Sequence, residues 1–166
     1  MIALNRKTDY ALVALTTLAA ASPEGMSARE LSERTRLPLP ALRNILKQLG
    51  YHGLLVSDRG VRGGYRLSRD AGAITIAMVV EAIEGPVRFA PCCPASVTGG
   101  DPCGCPLEGS CQIKGAVRHL HGRILDFLRE VTISDLRDQT RRADAEHERV
   151  VFDGPAVASA GRSSLE

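Results

Sequence analysis

A mainly α fold carrying one small β-hairpin is what this sequence predicts, on three observations. Four helical stretches fall within residues 7–85, a Gly- and Arg-rich loop joins two short β-prone runs between the third and fourth, and a narrow apolar seam recurs towards the C-terminus. At 166 residues and 17.8 kDa, with 44% hydrophobic and 24% charged residues, the chain suits a small domain with an appendage and excludes a large multidomain enzyme. No apolar run approaches the roughly 18 residues of a membrane span. Met1 to Tyr10 is polar and lacks the character of a signal peptide, so the chain reads as cytoplasmic, with no membrane partner.

Lys7 to Ala21 forms the first helix, with Ala11, Leu15 and Leu18 on one stripe and the breaker Ser22-Pro23-Glu24-Gly25 behind it. Ser27-Ala28-Arg29-Glu30 fits a capping box, in which hydroxyl and carboxylate reciprocally satisfy the first amides, and a short second helix follows to Thr35. Pro38 and Pro40 open the third helix, because proline lacks the amide that a first-turn position leaves unbonded. Leu42, Ile45, Leu46 and Leu49 follow i, i+3, i+4, i+7 and face the core, which leaves Arg43, Asn44, Lys47 and Gln48 outside. Gly50 and Gly53 end this helix. Leu54 to Ser57 then reads as a strand answered by Tyr65 to Ser68, and the loop between them carries Arg59 and Arg62 on a backbone that Gly60, Gly63 and Gly64 free for close approach. Thr75 caps a fourth helix that ends at Gly85 with Pro86 behind it. Three helices, a hairpin wing and a fourth helix spell a winged helix-turn-helix over residues 1–87.

Net charge is only +2, but Ser27 to Arg69 holds nine Lys/Arg against the three acids Glu30, Glu33 and Asp58, a local excess that suits phosphate contact. In a helix-turn-helix the second helix of the motif lies in the major groove, and Pro40 to Leu49 would fill that place. Arg43, Asn44, Lys47 and Gln48 can reach base edges or phosphates there; Ser27 and Pro40 stand at helix starts near phosphates; Arg59, Arg62, Gly63, Gly64 and Tyr65 form a wing that positions rather than specifies. An exposed amphipathic helix and a charged turn that bind nothing would show the same residues.

From residue 88 to 111 the chain changes character. Four prolines, four glycines and all five cysteines (Cys92, Cys93, Cys103, Cys105, Cys111) crowd into Pro91 to Cys111, where no regular element is expected. In a reducing compartment such a cluster reads as metal ligands or redox groups rather than structural disulfides. Thiolates favour iron–sulfur, zinc or cuprous centres over hard cations. A long helix resumes within residues 112–140, where Ile113, Val117, Leu120, Ile124, Phe127 and Val131 alternate steps of four and three, the seam of a coiled coil and the expected dimerisation helix. His119 and His121 sit off that seam and are expected in solvent. Thr132 to Leu136 restarts a short helix, and residues 141–166 read as a flexible tail.

The strings TDYALVAL (8–15), LPLPALRNILKQL (37–49), RGVRGGYRLSR (59–69), VVEAIEGPV (79–87) and CQIKGAV (111–117) together resemble the Rrf2 family of bacterial transcription regulators over residues 4–138, the RG-x-x-GGY wing being the most specific of them. The resemblance implies a homodimer that crosses a long helix over its twin, binds a palindromic double-stranded DNA operator, expected as a repressor, and often holds an iron–sulfur cluster, 2Fe-2S or 4Fe-4S. Cys105 and Cys111 have the x5 spacing of the family's last two cluster ligands. The first interval is stretched by Gly99-Gly100-Asp101-Pro102, so Cys93 is taken as the third ligand, with Cys92 and then Cys103 as alternates. In the IscR-like branch the fourth ligand is a histidine three residues after the last cysteine, where this chain has Lys114; in the NsrR-like branch it is an acid in the first helix, which Asp9 matches. A first-turn acid favoured by the helix dipole explains Asp9 equally well.

Three alternatives stay open. The cysteines suit a structural zinc site or a thiol redox switch as the control element. An iron–sulfur electron carrier would use the cysteines but not the basic hairpin, and a protein-interaction module would use the hairpin without steep salt dependence. For an enzyme there is no phosphate loop, no nucleophile constellation with histidine and no paired acids in a plausible pocket.

Overall fold

The computed structural model describes residues 5–58, 63–90, 92–93, 105 and 110–152, with side chains as far as Arg142. Helix α1 (Arg6–Ala20) starts at Asn5, whose side-chain oxygen accepts from the Lys7 amide. Glu84 Oε1, from the far end of the fourth helix, accepts from the Asn5 amide at 2.9 Å and from the hydroxyl of fully buried Thr8. The first turn of α1 is thereby fastened to an element 79 residues away.

Helix α2 (Ala28–Thr35) begins with the expected capping box: Ser27 Oγ accepts from Glu30 N at 3.2 Å and Glu30 Oε2 accepts from Ser27 N at 2.8 Å. The Glu30 carboxyl is held below its ordinary pKa, the Ser27 backbone amide being the larger cause and the Ser27 hydroxyl the smaller. Arg36 turns the chain at φ 57° into α3 (Leu39–Tyr51). This helix runs through Gly50 rather than stopping there. The break comes at Gly53, the second of the two expected glycines, at φ 69°, where Leu54 N reaches Leu49 O at 2.9 Å and Gly53 N reaches Gly50 O at 3.0 Å, a Schellman closure with Gly53 as its left-handed residue.

Strands β1 (Leu55–Ser57) and β2 (Tyr65–Leu67) pair antiparallel, Leu55 opposite Leu67 and Ser57 opposite Tyr65. Met26 adds a bridge to the outer edge, donating to Tyr65 O at 2.9 Å and accepting from Tyr65 N at 2.7 Å. Gly64 makes that approach possible, since a Cβ there would stand 2.6 Å from the Met26 carbonyl. Helix α4 (Ile76–Glu84) is capped by Thr75 as expected and ends at Gly85.

The core lies where α1, α3 and α4 meet the hairpin, and Leu15, Leu18, Leu31, Leu42, Leu46, Leu49, Leu54, Ile74 and Val79 fill it. Helix α5 (Lys114–Glu130) packs on α4. Helix α6 (Ile133–Phe152) returns to α1, inserts fully buried Ile133, and is tied to the start of α4 through Ile76 N to Val131 O and Ile133 N to Ile74 O, both 2.9 Å. The expected short helix with chain fraying from Arg141 is therefore corrected. A second capping box starts α6, Thr132 Oγ1 accepting from Asp135 N while Asp135 Oδ2 accepts from Thr132 N, and the Arg-, Ala- and Glu-rich sequence beyond favours continuation. Residues 153–166 of the expected tail lie outside the described residues.

Candidate nucleic-acid interface and thiolate centre

Helix α3 buries Leu42, Ile45, Leu46 and Leu49 and thereby aims Arg43, Asn44 and Lys47 at solvent. None of these three has a hydrogen bond or ion pair among the described residues. No side chain caps the α3 N-terminus, so its open amides complement an outside anion such as a phosphate. Pro40 sits exposed in that first turn. Gln48 departs from expectation: its Nε2 donates to Ala82 O at 2.9 Å and Ile83 O at 3.2 Å, satisfying carbonyls at the end of α4. It locks the reading helix to α4 and is not a free base contact.

The wing is closed at its root by Asp58 N to Gly64 O (2.9 Å) and Gly64 N to Asp58 O (3.1 Å), with Arg66 Nε on Asp58 Oδ2 at 2.9 Å. Gly63 and Tyr65 are half-buried. Tyr65, Ser57, Leu55, Leu46, Lys47 and Gly50 line a cleft of about 270 Å³ between α3 and the hairpin. Gly64 presses on the protein's own Met26, so the close approach it permits is taken up within the chain. Ser27, beside it, accepts from Glu30 N through its hydroxyl oxygen. Arg59 and Arg62 lie outside the described residues.

Of the cysteines, Cys92 and Cys93 are buried, Cys105 and Cys111 half-buried, and none of these four is in a disulfide; Cys103 lies outside the described residues. Cys93 N donates to Ala90 O at 2.8 Å, a turn just beyond α4, and Arg118 Nε from α5 donates to the Cys92 carbonyl at 2.9 Å. The dimer-helix candidate is thus bonded directly to the cysteine segment. Four cysteine sulfurs outside any disulfide suit a thiophilic centre in kind. Among the described residues no three of His, Cys, Asp and Glu are gathered to hold a metal ion, and Asp9 stands exposed in the first turn of α1.

The α5 seam divides in two. Val117, Ile124 and Val131 are half-buried, whereas Ile113, Leu120 and Phe127, seven residues apart, remain 65%, 46% and 63% exposed. His121, expected in solvent, is instead 4% exposed, and neither ring nitrogen has a hydrogen-bond partner among the described residues. The inward stripe of α5 runs Val117, His121, Ile124, Leu125, Leu128, so it is rotated from the apolar pattern and takes in a histidine that the pattern scores as polar.

A family model described as "Rrf2: Iron-dependent Transcriptional regulator" matches residues 4–139. The HTH-type transcriptional regulator IscR of Salmonella agona (strain SL483) is 28% identical over 164 residues, covering 98% of this chain and 96% of that protein. Among solved structures, T. potens IscR superposes with a TM-score of 0.63 at 26% identity over 86% of this chain and 90% of that one. CymR (YrzC), the global cysteine regulator of B. subtilis, does so with a TM-score of 0.61 at 27% identity over 84% and 98%. No described helix is long and apolar enough to cross a membrane.

Proposed function

The chain belongs to the Rrf2 family of transcriptional regulators, and on that premise we propose that it is a homodimeric, DNA-binding repressor whose hold on a palindromic operator depends on an iron–sulfur cluster. The observation that carries the DNA half is the outer face of α3, where Arg43, Asn44 and Lys47 project without internal partners beside an uncapped helix start. A guanidinium at Arg43 can pair bidentately with a guanine edge, while Ser27, Pro40 and the wing residues Arg59, Arg62, Gly63, Gly64 and Tyr65 set the register on the backbone. Two heads are needed for a palindrome, and the exposed row Ile113, Leu120, Phe127 supplies a seam for a second copy of α5.

For the sensing half, Cys93, Cys105 and Cys111 are the proposed ligands, with Cys92 and Cys103 as alternates and Asp9 as a fourth ligand, supplied by the same or the partner subunit. When bound, the cluster supplies iron that reacts with nitric oxide or oxygen or can be withdrawn, so that its state reports redox, iron or cluster supply. The chain's own part is mechanical. Arg118 joins the Cys92 carbonyl to α5, and Gln48 joins α4 to the reading helix, so a change in the cysteine segment is transmitted to the spacing of the two heads.

Anaerobically reconstituted protein and its iron-free form are to be compared on a duplex selected from a random pool, by fluorescence anisotropy over a range of salt. The reading predicts at least a tenfold difference in affinity between the two forms; equal affinities overturn the sensing half, and no preference for any duplex overturns the DNA half. A second reading, thiol chemistry without iron, is favoured by the likeness to the B. subtilis cysteine regulator and by four described cysteines that are in no disulfide. A colourless, iron-free protein whose DNA binding responds to a thiol oxidant selects it.

A further inference from the structure

We infer that the last turn of α4 is the joint that sets the rotation of the reading helix, with Gln48 and Glu84 as positioning residues that touch no base, an inference that rests on the DNA-binding reading above. Burial of Leu42, Ile45, Leu46 and Leu49 holds α3 against the core, but apolar attraction is non-directional and fixes the distance of a helix more firmly than its rotation. Hydrogen bonds are directional. Ala82 and Ile83 are buried and belong to the end of α4, where carbonyls lack partners within the helix. Gln48 Nε2 donates to both, at 2.9 Å and 3.2 Å, so the bonds that complete α4 also fix the angle of α3.

Glu84 supplies the other arm. As the final residue of α4 it sets a carboxylate at the negative end of its own helix dipole, where a basic residue is the favoured choice. Its compensation comes from a different helix: Oε1 accepts from Asn5 N at 2.9 Å and from the hydroxyl of fully buried Thr8, both at the positive end of α1. Residues 82–84 thus receive α3 on one side and α1 on the other, and the reading helix is referenced to the helix that carries buried Ala11, Leu15 and Leu18. The leverage on DNA is direct. Asn44 lies one turn before Gln48 on the same line of α3, with Arg43 and Lys47 beside them. At a side-chain radius of about 6 Å, a rotation of about 10° carries a tip by about 1 Å. That shift takes a bidentate pair out of the roughly 2.7–3.2 Å range of a hydrogen bond.

The test measures full-length wild type and variants by fluorescence anisotropy on the selected duplex and on duplexes changed at one base pair each, in whichever form, iron-loaded or iron-free, binds the selected duplex more tightly. Gln48→Leu and Glu84→Ala should each lose about three- to tenfold of the preference, spread over every base position that α3 reads, while non-specific affinity and its salt slope stay as in wild type. The double variant should lose no more than the worse single one, because both residues act through one joint. Glu84→Gln, which keeps an acceptor oxygen for Asn5 and Thr8, should retain the preference. Ile133→Val, a lesion at a fully buried site away from the joint, should lower the urea midpoint and retain the preference as well. Unchanged preference in Gln48→Leu or in folded Glu84→Ala overturns the inference, as does a loss in Gln48→Leu confined to one base position, additive loss in the double variant, or an equal loss in Ile133→Val. Gln48→Leu leaves α1 untouched and carries the test alone if Glu84→Ala does not fold. Wild type without preference for any duplex overturns the DNA-binding reading itself.

Discussion

The winged head and the segment from Cys92 through α5 are built on opposite terms. In the head, three of the four α-helix starts find side-chain caps within the chain, Asn5 and Glu84 for α1, the Ser27–Glu30 box for α2 and Thr75 for α4, while the start of α3 stays open. Its apolar residues close on one another to near-zero exposure. Beyond Cys92 the pattern reverses, with a buried imidazole that has no hydrogen-bond partner among the described residues and a row of three exposed large apolar side chains spaced seven residues apart. The difference teaches that the head is complete as a fold, whereas the second region is shaped for things outside the single polypeptide.

The largest effect should come from setting a core lesion against a seam lesion. Leu15→Ala, at a fully buried site in α1, is expected to cost about 2–5 kcal/mol of unfolding free energy by transfer loss and cavity. Phe127→Glu, at a site 63% exposed, should leave the urea midpoint of the head nearly unchanged while converting dimer to monomer in sedimentation. A Phe127→Glu protein that stays dimeric breaks the contrast, because the exposed row would then not be the interface.

A smaller effect separates two parts of the head. Arg43→Ala should reduce discrimination between the selected duplex and a guanine-substituted one by about 1–3 kcal/mol, with little change on non-specific DNA. Arg62→Ala should instead weaken all duplexes alike and flatten the dependence of log affinity on log salt by about one phosphate contact. Identical behaviour of the two variants would erase the division between reading helix and positioning wing.

What could be read from sequence follows the range of the interaction responsible. The Ser27–Glu30 box, the Leu42/Ile45/Leu46/Leu49 stripe and the Thr75 cap are set by neighbours within one or two turns, and the structure has them as predicted. Gln48 was misplaced because its burial depends on α4, which arrives 34 residues later and brings the carbonyls it bonds. His121 was misplaced because periodicity counts apolar side chains, and a histidine cannot register on an inward stripe even when tertiary packing puts it there. The length of α6 escaped for a related reason: the charged sequence after Leu136 shows no apolar period, and the helix is secured at its start by the Thr132–Asp135 box and by Ile133. Of the candidate site, the outer face of α3 was legible for Arg43, Asn44 and Lys47 but not for Gln48. The cysteines were legible as a donor set but not as an arrangement, because Cys92 and Cys93 take their places from a turn after α4 and from Arg118 on α5.

The smallest expected effect tests whether the head's completeness is local. Glu30 and Asp135 both titrate below their ordinary values, Glu30 through the Ser27 amide and then its hydroxyl, Asp135 through the Thr132 hydroxyl and then its amide. A carboxylate with a depressed folded-state pKa contributes stability that is present above its unfolded value and disappears as pH falls through the folded one. Stability of the iron-free protein should therefore decline as pH drops below about 4, and Glu30→Gln, which cannot titrate, should soften that decline without altering the neutral-pH fold. The measurement is the urea midpoint of wild type and variant from pH 7 to pH 3. If the two curves run parallel throughout, the Ser27–Glu30 pair is ornamental in water, and the start of α2 is held by packing of Leu31 beneath it rather than by its own cap.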